Sequence, residues 1–347
     1  MTVLYFGSFD PEYPRNRVFI KGLRENGVEV YECRDDSPGF KKFFNLYKKH
    51  KAFENKYDVM IVGFLGHILV PFAKLISWKP VIFDAFISLY DSNVQDRKIT
   101  PRYGIRALYY RFLDWFSMCL ADLVLFDTNE HIKYVSREFK IPLNKFRRVF
   151  VGTDTAFFYP RESRDDSAFT VHFHGSFIPL QGVECIMKAA KLLEKENIQF
   201  NILGKGQTYP KVRKLAADLN LKNVNFVNRV EYAKLPEYIN QGDICLGIFG
   251  ETAKAARVIP NKVYEYAAMK KPIITADTPA IRELFNATDM LLVSFNPEDL
   301  ASGVIKLKND RKLRESLAEN AHNTFNRFAR PEVLGRELKQ IAEELIR

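Results

Sequence analysis

The fold is decided by residues 147–175, RRVFVGTDTAFFYPRESRDDSAFTVHFHG. The segment starts with an apolar run that predicts a strand, passes through a polar stretch containing Pro160, and ends in a second apolar run. Apolar runs alternate with helical patterns on both sides of it, so one domain ends here and another begins. A chain of 347 residues is also longer than one hydrophobic core usually spans. We therefore predict two domains, residues 1–160 and 161–330, joined by a linker at 155–168.

Both halves have the alternation of strands and helices that is typical of parallel βα units. The predicted strands are TVLYF, VEVYE, DVMIVG, PVIFDAF, DLVLFD and RRVFVG in the first half, and FTVHFHG, IQFNILG, VNFV, DICLGIF and KPIITA in the second. This pattern predicts an α/β fold made of two Rossmann-like domains. From residue 297 onward helical segments follow one another without a strand, and Pro331 suits the first turn of a last helix at 331–347.

The composition is that of an ordinary folded protein, with 47% hydrophobic and 27% charged residues. The four cysteines are scattered without a C-x-x-C pair, which argues against a zinc site or a disulfide framework. This usage fits a reducing compartment. The N-terminus enters an apolar strand without a basic leader, and no run approaches the roughly 20 apolar residues of a membrane span. We expect a cytoplasmic protein.

The net charge of +10 is concentrated in residues 1–150, which hold 24 Lys and Arg against 17 Asp and Glu. Much of it lies in KKFFNLYKKHKAF (41–53) and RKITPRYGIRALYYRF (97–112), where cations alternate with large aromatic residues. One interpretation is two amphipathic helices with solvated cations and buried rings. The other is a surface that docks on anionic lipid, peripherally at the inner face of a membrane. No nucleic-acid partner is expected, because no recognisable nucleic-acid-binding module accompanies the charge.

Loops that follow strands are where parallel sheets bind ligands, because helix N-termini present unpaired N–H groups there. In the first domain Gly7 and Ser8 follow the first strand, and Gly7 would let a ligand approach the backbone closely. The G-x-G-x-x-G fingerprint of dinucleotide-binding domains is absent.

Two glycine-rich loops stand out in the second domain. Gly175 ends one strand and Gly182 lies near the start of the next helix, while Gly204 and Gly206 flank Lys205 between another strand and helix. Each loop is either an ordinary tight turn or a phosphate-binding loop. Their occurrence together in one domain favours phosphate binding.

A third candidate is RVIPNKVYEYAAMKKPIIT, residues 257–275. If Asn261 caps a helix, the free donors of that helix are the amides of Lys262, Val263 and Tyr264. Lys262 and Glu265 share one face of the helix. They form either a surface ion pair, or a site in which the amides, Arg257 and Lys262 surround a diphosphate while Glu265 accepts hydrogen bonds from sugar hydroxyls.

These segments resemble the retaining glycosyltransferases of the GT-B fold, specifically glycosyltransferase family 4 in the group 1 superfamily, most strongly over residues 148–330. VFVGTDTAFFYP is similar to the V-P-x-G-V-D-x-x-x-F-x-P segment of that family, and GSFIPLQG has the spacing of its G-R-x4-K-G loop. NKVYEYAAMKKPII resembles the family's E-A-(M/L)-A-x-G-x-P-(V/I)-(V/I) helix and strand. Glu265 takes the place of the second acid of the family's E-x7-E motif.

The departures from the family pattern concern charge. Ser176 and Gln181 stand where the family has Arg and Lys, and Arg257 stands where it has the first Glu of E-x7-E. A diphosphate still has to be neutralised. Our hypothesis is that Arg257 and Lys262, together with Lys254, replace the missing cations.

The resemblance implies transfer of a sugar from a nucleotide-diphosphate-sugar donor, in a cleft between two facing domains, with retention of the anomeric configuration. Arg257 and Lys262 would stabilise the leaving diphosphate, so neither a metal nor another cofactor is expected. Donor contacts are expected at Gly175, Ser176, Gly204, Lys205, Gly206, Val230, Asn261, Lys262, Val263 and Glu265. The last helix would return to the first domain.

The resemblance assigns the acceptor, which could be a glycan, a lipid-linked sugar or a small molecule, to the first domain. The expected contacts are Gly7, Ser8, Asp84 and Asp91. Asp84, within VIFDAF, is either an acceptor-site or catalytic carboxylate or a hydrogen-bonded structural one. His67 is either an acceptor-site group or part of the packing, and the role of His174 stays open.

Two other functions are compatible with the sequence. A nucleotide-sugar epimerase of the same fold would need acids and histidines paired for proton transfer, and few stand in these loops. The other is a catalytically inactive, membrane-associated sugar-nucleotide-binding protein. The absence of the Arg, Lys and first Glu of the family motifs keeps this alternative open. A transferase would form a glycosylated acceptor from the nucleotide sugar, an epimerase would form an isomer of the nucleotide sugar, and an inactive protein would bind it without forming a product.

Overall fold

The computed structural model describes residues 1–162 and 168–346. Residues 163–167 of the predicted linker and Arg347 of the predicted last helix lie outside the described residues. The chain forms two compact units. Unit 1 is Met1–Asp154 together with Ala329–Arg347, and unit 2 is Thr155–Phe328. The chain therefore first passes from unit 1 into unit 2 between Asp154 and Thr155.

Unit 1 is built on a six-stranded parallel sheet in the order β2-β1-β3-β4-β5-β6. Its strands are β1 (Thr2–Gly7), β2 (Glu29–Arg34), β3 (Val59–Val62), β4 (Val81–Phe86), β5 (Leu123–Phe126) and β6 (Phe146–Arg148). The inner strands β3, β4 and β5 are buried along their whole length, as expected for a parallel sheet covered on both faces.

Helices cover both faces of this sheet. They are α1 (Pro14–Glu25), α2 (Lys41–Lys51), α3 (Val70–Ile76), α4 (Ile105–Leu120) and α5 (Asn129–Phe139). Side chains of α2 to α5 pack into one core with Leu4 and Phe6 of β1. Tyr5 points to the opposite face, because side chains alternate along a strand, and its hydroxyl donates to Asn16 of α1 at 3.0 Å.

Unit 2 repeats this architecture with the sheet order β12-β11-β10-β7-β8-β9. Its strands are β7 (Phe169–His174), β8 (Ile198–Leu203), β9 (Val224–Val227), β10 (Ile244–Leu246), β11 (Ile273–Ala276) and β12 (Leu291–Val293). Its helices are α6 (Val183–Leu192), α7 (Tyr209–Asp218), α8 (Leu235–Asn240), α9 (Asn261–Ala268), α10 (Pro297–Asn309) and α11 (Arg311–Phe328). The predicted α/β class with two Rossmann-like domains is confirmed.

Strand bounds differ from the sequence-based prediction, most clearly in two places. The strand predicted over 147–152 ends at Arg148, and the last ladder bond there is the one from Val149 N to Phe126 O, at 2.9 Å. The prediction also missed β12, which pairs with β11 at the edge of the sheet. Three residues are too few to show a periodicity, so β12 is recognisable only from its pairing.

The last helix, α12 (Pro331–Ile346), belongs to unit 1 and packs along α1. The two helices meet at glycines. A Cβ on Gly335 would overlap the carbonyl group of Gly22, and a Cβ on Gly22 would overlap the carbonyl oxygen of Pro331. The backbones approach this closely because neither glycine carries a side chain.

Each sheet has one point where the strand order reverses. It lies between β1 and β3 in unit 1 and between β7 and β10 in unit 2. Open α/β sheets bind ligands in the crevice at the carboxyl ends of the strands beside such a point. The loops after β1, β7 and β10 are therefore the first places to examine.

Candidate functional site

The two glycine-rich loops of unit 2 form one continuous backbone structure at the ends of β7 and β8. Gly175 N donates to Leu203 O at 3.0 Å, and Phe177 N donates to Lys205 O at 2.9 Å. Gly204 has a φ of +137°, and a Cβ there would overlap Gly175 O. Glycine is thus required at this contact, because any side chain would separate the two loops.

A third segment, which follows β10, closes against the first loop. Phe249 N donates to Gln181 O at 3.1 Å, and Gly250 N donates to Leu180 O at 3.2 Å. Gly182 has a φ of +64°, and a Cβ on it would overlap the backbone of Phe249. The chain segments that flank the reversal of strand order are therefore held together by backbone contacts.

Lys262 of α9 extends into the first glycine loop. Its Nζ donates to the side-chain oxygen of Gln181 and lies 3.6 Å from the centre of the Phe173 ring. A Cβ on Gly175 would be only 2.9 Å from the same Nζ. Gln181, which stands where the family has a lysine, is thus in contact with a lysine of α9.

The ammonium group of Lys262 is buried, with 4% of the residue exposed. Burial lowers the pKa of Lys262 well below its ordinary value, and the neighbouring Glu265 acts in the opposite direction. The charged form of Lys262 is therefore costly until an anion is close to it.

Glu265 is held in a buried network of its own. Its Oε2 lies 2.7 Å from His174 Nε2, and His174 Nδ1 lies 3.1 Å from the Tyr266 hydroxyl and 3.1 Å from His172 Nε2. The two ring nitrogens of His174 thus have separate partners, Nε2 facing Glu265 and Nδ1 facing Tyr266 and His172.

Burial shifts the titratable groups of this network toward their uncharged forms. Burial raises the pKa of Glu265 to about 8, with Lys262 opposing this shift. Burial also lowers the pKa of His174 well below its ordinary value, and Lys262 lowers it further. For His172, burial is again the main cause of a strongly lowered pKa, and His174 adds to it. A cluster of titratable groups buried at a strand end is typical of functional sites.

The structure corrects two expectations about α9. The surface ion pair between Lys262 and Glu265 is wrong, because both residues are buried and all of Lys262–Ala268 is enclosed. Asn261 is not the N-cap either, since the helix begins at Asn261 and Pro260 occupies the capping position. Val263 N donates to Pro260 O at 2.9 Å, so this amide is already used.

The remaining residues predicted for the donor lie at the same end of the sheet. Arg257 is half-buried at the end of a short 3₁₀ helix, Ala255–Arg257, and Lys254 just before it is buried. Ser176 and Lys205 are exposed in the two glycine loops. Val230 follows β9, whose Val227 O accepts a bond from Gly204 N at 3.0 Å.

Gly7 and Ser8 of unit 1 lie at the end of β1. Gly7 has a φ of +138°, in the region that favours glycine. The Ser8 hydroxyl donates to Asp35 O at 2.7 Å, which ties this loop to the end of β2.

Asp84 is fully enclosed and paired with Arg15, a residue that the sequence analysis did not single out. The Arg15 NH2 group lies 2.7 Å from Asp84 Oδ1, neither side chain is exposed, and Arg15 NH1 donates to Val149 O at 3.0 Å. Burial raises the pKa of Asp84, and Arg15 opposes this. The geometry favours the structural alternative for Asp84 over contact with an acceptor.

Asp91 lies in a π-helical turn, Asp91–Asp96, beside a second buried pair. His131 Nδ1 is 3.0 Å from Asp127 Oδ1, and His131 Nε2 is 4.0 Å from Asp91 Oδ2. His67 is enclosed at the end of β3, with Nε2 3.1 Å from Ile87 O, and burial lowers its pKa to about 4. This favours packing over an acceptor-site role for His67.

Neither a metal cluster nor a membrane span is found in the described part of the chain. Within residues 1–162 and 168–346 there is no group of three or more His, Cys, Asp or Glu placed to hold a metal ion. Over the same residues no helix is both long and apolar enough to cross a membrane.

His172, Tyr266 and Arg15 were missed and the role of His174 was left open, although part of the signal was in the sequence. In FTVHFHG the two histidines alternate with Val171 and Phe173, which form the core, so His172 and His174 had to share the other face of β7. The partnership of Tyr266 with His174, and that of Arg15 with Asp84, join residues more than 60 positions apart. No local pattern encodes such contacts.

Comparison with known proteins agrees with this architecture. Residues 157–324, close to the limits of unit 2, match the family model described as Glycosyl transferases group 1. An uncharacterized glycosyltransferase of Methanocaldococcus jannaschii is 23% identical over 183 residues, which is 50% of this chain and 47% of the relative. A second one from the same organism is 26% identical over 97% of this chain and 89% of its own length. The chain thus spans about half the length of the first relative and most of the second.

Two solved structures superpose over nearly the whole chain. HepE of Anabaena, in complex with UDP and glucose, has a TM-score of 0.73 with 12% identity and covers 99% of both chains. Sucrose-phosphate synthase of Thermosynechococcus elongatus has a TM-score of 0.76 with 14% identity, over 99% of this chain and 98% of the other. The two six-stranded parallel sheets are those of the GT-B fold. Residues 157–324 thus match the glycosyl transferases group 1 model, and the chain as a whole has the GT-B fold.

Proposed function

We propose that this protein is a glycosyltransferase that moves a sugar from a nucleotide-diphosphate-sugar to an acceptor, with retention of the anomeric configuration, as in family 4. The observation that carries the proposal is the contact between Lys262 Nζ and the side chain of Gln181. It brings a cation to the glycine loop at the position where the family supplies one from the loop itself. The UDP bound to HepE supports a uridine nucleotide as the first donor to test.

In this proposal Lys262 stabilises the negative charge that develops on the leaving diphosphate. The buried ammonium group has a lowered pKa, so an arriving diphosphate would raise that pKa and hold the charged form. Arg257 and Lys254 add positive charge from the segment before α9, and the N-terminal amides of α9 add partial charge. Such preorganised groups act most strongly where water is excluded. Neither a metal nor another cofactor is invoked.

Glu265 would orient the donor sugar. Its contact with His174 fixes one carboxyl oxygen and leaves the other to accept hydrogen bonds from sugar hydroxyls. The further donor contacts that we propose are Gly175, Ser176, Gly204, Lys205, Gly206, Val230, Asn261 and Val263. Of these, Val263 would act through the side chain or carbonyl group, because its amide already donates to Pro260 O.

The acceptor side of the proposal rests on unit 1. Gly7 and Ser8 remain the proposed direct contacts. Asp91 and Asp84 are both enclosed, so they would act indirectly, Asp84 by holding Arg15 in place. The acceptor could be a glycan, a lipid-linked sugar or a small molecule. A screen of acceptors with a donor identified by binding is the way to choose among them.

The test combines a donor screen with an exchange of residues 181 and 262. UDP, UDP-glucose and other nucleotide diphosphates are added to the protein, and a ligand that binds only the folded state raises Tm. For the best donor, Lys262→Met should lower kcat/KM at least tenfold, about the effect of losing one charge-assisted contact in the transition state. The exchange Gln181→Lys with Lys262→Gln returns the cation to the loop and should recover part of that loss.

The matched control is Lys222→Met, which removes an exposed lysine of unit 2 outside the candidate site. It should leave both binding and turnover unchanged. If Lys262→Met and Arg257→Ala both retain wild-type kcat/KM, the cations do not perform this role. If no nucleotide diphosphate raises Tm, the donor class itself is wrong.

One observation favours a second candidate, an epimerase. His174 and Glu265 form a buried acid–histidine pair at 2.7 Å, the kind of pairing that proton transfer requires. An epimerase would convert a nucleotide sugar into its isomer without any acceptor. Product analysis in the absence and presence of acceptors separates the two activities, and nucleotide-sugar binding with no product in either case would indicate an inactive binding protein.

A further inference from the structure

Helix α4 of unit 1 has two apolar faces, and only one of them is covered. Ala107, Leu113 and Met118 pack into the protein. On the opposite side Ile105, Leu108, Tyr109, Phe112 and Trp115 are exposed, with Ile105 at 88% and Phe112 at 54%. Their spacing of three and four residues makes a continuous apolar stripe along the outside of the helix. A surface helix normally has polar residues there, so this face is suited to an apolar environment.

The charge on this side is of one sign. Arg102, Arg106 and Arg111 are exposed among the apolar side chains. Within residues 97–120 the one acidic residue is Asp114, and it is buried and hydrogen-bonded to Ser88 at 2.7 Å. Arg111 is partly neutralised by its contact with Glu138. The surface therefore combines apolar side chains with cations, and residues 97–120 expose no carboxylate.

The loop before α4 extends the same character. Ile99 and Tyr103 are exposed, Tyr103 at 86%. The loop lines a cavity of about 700 Å³ whose walls include Val94, Pro101, Lys98 and Arg102. A second cavity, of about 440 Å³, lies on α4 between Leu108, Phe112, Trp115 and Phe139. The first cavity pairs apolar walls with cations, the combination that a lipid chain and its anionic headgroup require. The second has Arg111 and Lys140 in its walls together with Glu138, the partner of Arg111. We call exposed residues 98–115 the α4 surface.

Neighbouring elements on the same face of the sheet repeat the pattern. Helix α2 exposes Phe40 just before its start, then Phe44 and Lys48, and contains no acidic residue. Trp78, directly after α3, is 92% exposed. Lys48 Nζ lies 4.4 Å from the centre of the Phe44 ring, so cation and ring are presented together. Aromatic rings beside Lys and Arg are characteristic of the water–membrane boundary.

From these observations we infer that the α4 surface docks on an anionic lipid bilayer. The apolar stripe enters the boundary between headgroups and acyl chains, and Arg102 and Arg106 contact lipid phosphates. The sequence-based alternative in which the rings of residues 97–112 are buried is wrong for Tyr103, Tyr109 and Phe112, which are exposed. Charge complementarity selects an anionic surface, and attachment through one amphipathic helix face is peripheral and reversible.

The inference is independent of the glycosyltransferase proposal, because it concerns unit 1 and needs no nucleotide. The experiment is sedimentation of the full chain with vesicles of phosphatidylcholine alone, and of phosphatidylcholine with an equal part of phosphatidylglycerol. We expect binding to the anionic vesicles only, weakening as salt is added, since exposed charges are screened. Tm shifts with nucleotides, measured without vesicles, report separately on unit 2.

Two variants test the two parts of the surface. Arg102→Gln with Arg106→Gln should weaken partitioning by about fivefold for each cation, the usual contribution of a basic residue near an anionic leaflet. Phe112→Ser with Trp115→Ser should weaken it at least as much, because the apolar contact is lost. Both pairs are exposed, so Tm without lipid should not change. The matched controls are Lys195→Gln with Lys222→Gln, and Leu192→Ser, at exposed sites of unit 2.

Three results would overturn the inference. The first is equal binding of the wild-type protein to neutral and anionic vesicles. The second is binding of both α4 variants to anionic vesicles at the wild-type level. The third is that, without lipid, light scattering shows the wild-type protein to self-associate and the α4 variants not to. The last result would identify a second copy of the chain, in place of a bilayer, as what covers this surface.

Discussion

At the scale of single residues, the candidate site depends on burial more than on formal charge. Lys262 and Glu265 are three positions apart, which on an exposed helix would make an ordinary ion pair worth a few tenths of a kcal/mol. Enclosure of α9 changes their chemistry, because burial penalises the charged form of each group. Burial therefore lowers the pKa of the lysine and raises that of the glutamate, and a nearby anion would favour the charged form of the lysine.

Replacement of Glu265 by Gln should change how stability depends on pH. The ordinary pKa of a glutamate is 4.5, and in the folded protein that of Glu265 is about 8. Between these values the folded state binds the proton more tightly than the unfolded state, so stability falls as pH rises through the window. Gln does not titrate. Relative to wild type, Glu265→Gln should therefore gain about 1 kcal/mol or more of unfolding free energy between pH 5 and pH 8.

The measurement is urea unfolding of both proteins across this pH range. Glu344→Gln, at an exposed position of α12, is the matched control and should follow wild type. Because the pKa of Lys262 depends on the charge of Glu265, the same comparison is repeated in a Lys262→Met background, where that contribution is absent. A difference between Glu265→Gln and wild type that does not vary with pH would contradict the raised pKa.

At the scale of elements, close contacts between backbones determine how the pieces fit. The two glycine loops of unit 2 touch through Gly175 and Gly204, and α1 and α12 touch through Gly22 and Gly335. In both places the sequence provides a residue with no side chain where two backbones approach. Such contacts do not tolerate the addition of one carbon atom, because protein interiors are close-packed.

Gly335→Ala should destabilise unit 1. Alanine normally stabilises a helix relative to glycine by up to about 1 kcal/mol. Here a Cβ would overlap the carbonyl group of Gly22 and lie 2.6 Å from its Cα, so α12 has to move away from α1. Overpacking of this kind costs about 1–3 kcal/mol, which should appear as a lower unfolding free energy in denaturant.

Gly303→Ala in α10 is the matched control. Its Cβ would lie 3.1 Å from the end of the Leu291 side chain, which can shift more easily than a backbone. It should therefore cost less than Gly335→Ala. A Gly335→Ala protein as stable as wild type would show that the helices can separate without penalty.

At the scale of the whole molecule, unit 1 is discontinuous in sequence. The chain leaves it after Asp154, forms unit 2, and returns at Ala329. The returning helix brings Leu334, Leu338 and Ile341 into the unit. Three buried apolar side chains contribute roughly 5 kcal/mol, a large share of the stability of an ordinary domain.

A chain that ends at Phe328 should therefore lose stability in unit 1 alone. Hydrogen exchange should become faster in α1 and in the sheet of unit 1, because the face of α1 that α12 covers is then exposed. The peptides of unit 2 should retain the protection that they have in the full chain. Removal of residues 345–347 only is the control and should change little. Full protection of α1 without α12 would contradict this account.

The sequence by itself determined the class of fold and the place of the candidate site. Alternation of apolar runs and helical patterns requires only local periodicity, so two parallel βα domains could be predicted, whereas the three-residue β12 could not. The glycine loops and the segment at 257–275 were recognised from residue types at strand ends. The tertiary structure decided which groups meet. It placed Lys262 against Gln181, joined Glu265 to His174, and enclosed Asp84 with Arg15. Burial sets the direction of these pKa shifts, and contacts between distant residues set the partnerships. Periodicity in the sequence carries no information about burial of a particular side chain or about its distant partner.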